Sequence, residues 1–124
     1  MDATLPRDER LRTSGALKRL FEQGRGGFVY PFRYIFVTAG DADAAPRNAR
    51  VLFSVPKRFH KRANKRNLLR RRTKEAYRLN KTLLHAVRTT PIDLALIYSV
   101  KDVVEYKRIE DAVKRVLSQI AGAL

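Results

Sequence analysis

The sequence predicts an α+β fold, a single-domain sandwich in which helices pack on a small mixed sheet. Three observations predict it. Two stretches of helical period, at residues 61–87 and 104–121, alternate with short apolar runs of strand length. One such run (residues 49–55) precedes the first long helix and another (residues 92–98) follows it, so this strand–helix–strand unit crosses over onto one sheet. The chain has 124 residues, enough for one compact domain, and 44% of them are hydrophobic, enough for a modest core.

Taken in order, residues 1–12 read as a polar N-terminal arm and 13–124 as the domain. Thr13 or Ser14 can cap a short helix with Leu17, Leu20 and Phe21 on one face, and Gly24 is placed to end it. Arg25, Gly26 and Gly27 are expected to form a flexible connection. Residues 28–39 read as one strand, or as two if Pro31 marks a bend. Residues 40–48 are rich in turn formers, and residues 49–55 form the next strand, pairing with the previous one as a hairpin. In the first long helix Leu69, Thr73, Ala76, Tyr77, Asn80 and Leu84 make an apolar or semi-polar stripe. Thr89, Thr90 and Pro91 break the chain before the run Ile-Asp-Leu-Ala-Leu-Ile-Tyr, a central-strand pattern. Tyr106, Ile109, Val113, Val116, Leu117 and Ile120 form the stripe of the last helix. The order is α-β-β-α-β-α, with one more strand if Pro31 divides the first, and helices mostly on one face.

Charge narrows the function. Lys and Arg number 27 against 12 Asp and Glu, a net charge of +15. That excess repels itself in a folded chain, so a polyanionic partner is expected. No run approaches the ~18 apolar residues of a spanning helix, so a membrane is not expected as partner. There is no cysteine and no secretory signal pattern, so a cytoplasmic location is expected.

The charge is also local. Twelve of the basic residues lie between Lys57 and Lys81, with only Glu75 opposing them, so that stretch carries +11. At 100° per residue, Arg66, Arg70, Lys74, Arg78 and Lys81 share one face, with Asn67 and Arg71 beside them. Arg62 and Arg72 project toward the apolar side, where they can line a groove. Guanidinium groups fork onto phosphate oxygens and stack on bases, and neutralised phosphates release counterions. Lys57, Arg58, Lys61, Arg62, Lys65, Arg66, Asn67, Arg70, Arg71, Lys74 and Arg78 are therefore the candidate nucleic-acid contacts.

A second feature is aromatic. Phe28, Tyr30, Phe32, Tyr34 and Phe36 alternate, so in one extended strand all five share a face. Such a face can be core, or it can be a platform for unpaired bases. Phe32, Tyr34 and Phe36, with Leu17 and Phe21 of the first helix, are the candidate floor of a single-strand groove. No catalytic constellation is visible: Asp41, Asp43 and Asp93 are scattered, His60 and His85 are isolated, and no metal site or nucleophile pattern appears.

The stretch from Val51 to Lys81 resembles the signature of the bacterial ribonuclease P protein subunit family. Ser54, Val55, Lys57 and Arg58 match its Ser-Val-x-Lys-Lys/Arg element. Arg66, Asn67, Arg70, Arg71, Glu75, Ala76, Tyr77 and Arg78 match its basic helix, and Leu17, Phe21 and Gly24 match an N-terminal Leu-x-x-x-Phe-x-x-Gly element. The chain departs from the pattern at Leu68, where the family has Arg, and at Arg72, Thr73 and Ser99. The resemblance implies an α-β-β-β-α-β-α order with an RNA-binding cleft. It implies a non-catalytic protein that assists a catalytic RNA in removing the 5′ leader of precursor tRNA. Mg²⁺ is then used by the RNA and no cofactor is held by the protein. The implied partners are that RNA and precursor tRNA, with no obligate protein partner. The residue pattern alone also fits a general RNA-binding protein, ribosomal or chaperone, with no role in leader cleavage. A helix read into the major groove of DNA fits less well, because no helix-turn-helix spacing is present.

Overall fold

The computed structural model describes residue 11 and residues 14–38, 49–85 and 92–123. The elements are α1 (Ser14–Gln23), β1 (Arg25–Val29), β2 (Phe32–Thr38), β3 (Arg50–Ser54), α2 (Ala63–Asn80), α3 (Thr82–His85), β4 (Ile92–Tyr98) and α4 (Tyr106–Ala123). The order α-β-β-β-α-β-α holds, with the short α3 added after α2. The turn-rich residues 40–48, the breaker at 89–91, and the N-terminal arm apart from Leu11 lie outside the described residues. Leu11, expected in that arm, is buried, and its N–H donates to the Val51 carbonyl at 2.9 Å.

Pro31 does divide the first strand. The chain turns at Tyr30–Pro31, a cis peptide, and β1 and β2 form an antiparallel hairpin in which Val29 faces Phe32. Arg25, Gly26 and Gly27, expected to be a loose connection, are instead the edge strand opposite Phe36, Ile35 and Tyr34. A Cβ at Gly26 would run into the Tyr34 backbone, so only glycine lets the strand lie this close.

The expected hairpin between β2 and β3 does not form. The sheet order is β1-β2-β4-β3, with β4 antiparallel to β2 and parallel to β3. The reason is burial. Six of the seven β4 residues are buried and Ile97 is half-buried, a pattern that satisfies a strand covered on both faces and flanked on both edges. β4 therefore takes the centre and displaces β3 to the margin, and α2 with α3 makes the crossover that a parallel pair requires. Arg50 and Asp93, partners in that register, form a two-pronged ion pair at 2.9 and 3.0 Å, with Asp93 buried.

The helices divide between the two faces. Phe32, Tyr34, Phe36, Leu94, Leu96 and Tyr98 share a core with Leu69 and Tyr77 of α2 and the whole apolar stripe of α4. Ile35, Val37, Leu52, Ala95 and Ile97 point the other way, toward Ala16, Leu17 and Leu20 of α1. The first long helix was expected to reach residue 87, but α2 stops at Asn80. There the Asn80 amide bonds the Ala76 carbonyl and Glu110, competing with the helical ladder. Thr73, a polar member of the stripe, is satisfied by the Leu69 carbonyl at 2.8 Å.

Gly24 ends α1, its N–H donating to the Leu20 carbonyl at 2.9 Å. A Cβ there would overlap that carbonyl and the Ile35 side chain, whereas one at Gly15 meets nothing within 4 Å. Gly24→Ala is expected to cost about 1–3 kcal/mol by overpacking. Gly15→Ala should be neutral or stabilising by up to about 1 kcal/mol. Urea denaturation of the two variants beside the parent checks both values.

Candidate nucleic-acid interface

α2 exists because its stripe of Leu69, Thr73, Ala76 and Tyr77 can be buried against the sheet and α4. That fixes which way every other residue of the helix points. The arc away from the core carries Asn67, Arg70 and Arg71, all exposed, and Lys74 and Arg78, half-buried. Lys57 and Arg58 in the preceding turn, and Lys61, Arg62 and Lys65 at the helix start, extend the exposed basic surface.

Not every cation predicted for this face is directed outward. Arg66 donates to the carbonyls of His60 at 3.1 Å and Lys61 at 2.7 Å, which fastens the preceding turn to the helix. Arg78 clamps Glu75 through two guanidinium nitrogens, and this hydrogen bonding holds the Glu75 carboxyl below the usual range. Lys81, expected on the basic face, is instead buried at 4% exposure, because the helix breaks at this residue. Arg72 points toward the apolar side as expected and donates to the Val104 carbonyl at 2.8 Å. Arg70 bonds the Asn67 side chain at 3.2 Å across the exposed surface.

The aromatic alternation does not produce the expected floor. Phe32 is fully buried, edge-on to Tyr98, and Phe36 is 4% exposed. Tyr34, stacked on Phe36, is 8% exposed and donates its hydroxyl to Gln119 at 2.8 Å. These three lie on the α2–α4 face, whereas Leu17, half-buried, packs on the opposite face, where α1 also carries the exposed Phe21. The five residues therefore cannot line one groove. The physical reason is the chain reversal at Pro31, which sets Phe28 opposite Arg33 rather than in line with Phe32. Tyr34→Ala is accordingly a change to the core.

The same reversal creates a different surface. Cross-strand partners share a face, so Phe28, Arg33, Ile97 and Ser54 form one row across all four strands, on the α1 side. Phe28 is 57% exposed, Phe21 is 52% exposed, and Arg33 is exposed between the strands. A concavity of about 400 Å³ at the β1–β2 edge is lined by Phe28, Arg33, Tyr34 and Ile35 together with Gly26 and Gly27. Arg33 and Ile97 escaped the sequence reading. Pro31 as a hairpin turn, with Val29 facing Phe32, was the signal that would have found them.

His60 packs its ring against Tyr98 at 5.5 Å and places Nε2 2.9 Å from the Val100 carbonyl, which gives it a structural role beside the basic turn. Asp41 and Asp43 lie outside the described residues. Asp93 is held by Arg50.

A sequence model of the family described as Ribonuclease P matches residues 5–121. The chain belongs to the ribonuclease P protein family. The ribonuclease P protein component of Porphyromonas gingivalis is 33% identical over 121 residues, covering 95% of this chain and 87% of the relative. That of Chlorobaculum tepidum is 43% identical over 84 residues, covering 64% of this chain and 53% of the relative. The solved ribonuclease P protein of Thermotoga maritima shares the fold with a TM-score of 0.71 at 22% identity, covering 90% of this chain and 96% of that one. The Staphylococcus aureus protein does so with 0.64 at 18% identity, covering 90% and 94%. As a ribonuclease P protein, the chain is the auxiliary subunit of an endoribonuclease of tRNA processing, and its family works with the ribonuclease P RNA.

Arg70→Ala combined with Lys74→Ala should weaken binding to ribonuclease P RNA. The slope of log K against log salt should flatten by roughly one unit per lost phosphate contact. Arg72→Ala should lower stability and leave the slope unchanged, because its guanidinium is committed to Val104. Filter binding across a salt series, with thermal melts of each variant, separates the two effects.

Proposed function

We propose that the protein uses two separate surfaces in removing the 5′ leader of precursor tRNA. The outward arc of α2, Asn67, Arg70, Arg71 and Lys74, with Lys57, Arg58, Lys61, Arg62 and Lys65 beside it, holds the catalytic RNA, while Arg66, tied to the His60 and Lys61 carbonyls, and Arg78, tied to Glu75, brace that surface. The row of Phe28, Arg33, Ile97 and Ser54, with Phe21 and Leu17 of α1 beside it, holds the single-stranded leader. The observation that carries this is the division of the two features by the sheet and the helices packed on it. The basic arc faces away on the α2 side, and the exposed Phe28, Arg33 and Phe21 lie on the α1 side. An exposed phenyl ring offers a base a stacking surface, and Arg33 beside it offers a phosphate a charge.

In this reading the bond cleavage belongs to the RNA and the Mg²⁺ it binds. The protein adds fixed positive charge, which offsets repulsion between RNA phosphates and so reduces the Mg²⁺ needed for activity. The setting is the cytoplasm, and no helix among the described residues is long and apolar enough to cross a membrane.

Reconstitution with the cognate ribonuclease P RNA tests the reading. The protein should raise the rate of leader cleavage at low Mg²⁺. An unchanged rate, with RNA still bound, would leave only a general RNA-binding protein.

Phe28→Ala should weaken precursor tRNA binding to the holoenzyme by about 1–3 kcal/mol, the worth of one stacked base. Affinity for mature tRNA should stay the same, and stability should move by less than about 0.5 kcal/mol. Phe32→Ala should instead lower stability by about 3–5 kcal/mol. Equal loss of precursor and mature tRNA affinity in Phe28→Ala would show that the ring is not a leader contact.

A further inference from the structure

A groove of about 440 Å³ runs between α2 and α4; Arg71, Lys74 and Arg78 of the outward arc border it, and Leu68, Arg72, Glu75 and Tyr106, which the leader surface and the phosphate contacts leave unused, complete it. Leu68 and the Arg72 stem line it from α2, and the Tyr106 ring lines it from α4. Its lining is mostly apolar, yet Arg71, Lys74 and Arg78 stand at its edge. Arg72 cannot swing out to fill it without giving up its bond to Val104. Tyr106 is half-buried, and that burial together with the nearby Glu110 and Glu75 carboxylates raises its phenol above the ordinary range, so the ring stays neutral. Glu75 also lines the groove, its carboxylate kept ionised by Arg78.

These groups suit one kind of occupant. An apolar slot takes a base. Cations at its mouth take the phosphate attached to that base. The Glu75 carboxylate held within the lining accepts from a base N–H or a ribose hydroxyl. The groove is continuous with the basic arc, so a strand already held there by its phosphates can turn one base inward.

We propose that the α2–α4 groove receives one unpaired nucleotide of the catalytic RNA, with its base between Leu68 and Tyr106 and its phosphate at Arg71 and Lys74. This deepens the proposed function and rests on α2 being the RNA-holding surface.

The test is a footprint of the ribonuclease P RNA in the reconstituted holoenzyme. Dimethyl sulfate and a carbodiimide together read all four bases, and hydroxyl radicals read the backbone. Three proteins are compared: the parent, Tyr106→Ala, and Leu68→Arg. Leu68→Arg adds a cation while filling the apolar slot, so a purely electrostatic groove would bind RNA more tightly and protect the same bases. The expected result is one base, or two adjacent ones, protected by the parent and exposed in both variants, with the backbone footprint retained. RNA affinity should fall roughly five-fold or more for Tyr106→Ala, the worth of a lost stacking contact. Leu68 is a half-exposed surface position, so Leu68→Arg keeps the test decisive if Tyr106→Ala fails to fold. Base protections unchanged in a folded variant would overturn the proposal, and so would loss of the whole backbone footprint. A parent protein that leaves no backbone footprint along α2 would instead remove the underlying reading of that helix.

Discussion

The architecture depends on one strand that must be dry on both sides. β4 presents Ile92, Leu94, Leu96 and Tyr98 to one face and Asp93, Ala95 and Ile97 to the other, and all of them but Ile97 are buried. A run that is apolar on both faces cannot lie at an edge or turn one face to water without exposing large hydrophobic area. Two covering layers are therefore required. α2 and α4 supply one, α1 with Leu11 supplies the other, and the parallel partner β3 is held in place at one end by the Arg50–Asp93 pair. Once β4 is central, the polar side of α2 has to face away from the sheet, and the exposed end of the α1 face, at Phe28 and Arg33, is the other surface left open.

Positive charge is then sorted by what the fold consumes. Arg50 is tied to Asp93, Arg66 to the carbonyls before α2, Arg72 to Val104 and Arg78 to Glu75, while Lys81 is buried. Each of these bonds spends a cation on holding elements together. Arg70 and Arg71 are exposed and Lys74 is half-buried on the outward arc, so a polyanion meets a narrower arc than the count of basic residues suggests. Removing a fastening residue alters stability, and removing an outward one alters counterion release, so the two classes differ in what they change.

Most of this was legible in the chain. The α4 stripe and the β4 run come from local periodicity, which needs no knowledge of neighbours, and both appear where the pattern placed them. The basic arc of α2 was legible for the same reason, as were the end of α1 at Gly24 and the family signature from Val51 to Lys81. What was not legible depends on contacts between distant residues. The parallel pairing of β3 with β4 places Leu52 beside Ala95, 43 positions apart, and nothing in either segment excluded a hairpin of β3 with β2. The aromatic alternation ran through Pro31 unbroken in the sequence, yet a reversal there reassigns Phe28 to the other face. Lys81 looked like one more surface cation because nothing local marked the helix break beside Asn80.

In the proposed arrangement the sheet, with the helices on its two faces, separates a catalytic-RNA surface from a leader surface. Site-specific photocrosslinking tests it most directly. A benzophenone amino acid is introduced in place of Phe28 in one protein and in place of Arg70 in another. Each is assembled with ribonuclease P RNA and precursor tRNA and irradiated, and the crosslinked nucleotides are mapped. The probe at position 28 should label the 5′ leader, and the probe at position 70 should label the catalytic RNA. Labelling of the catalytic RNA alone from position 28, or of the leader from position 70, would contradict the division.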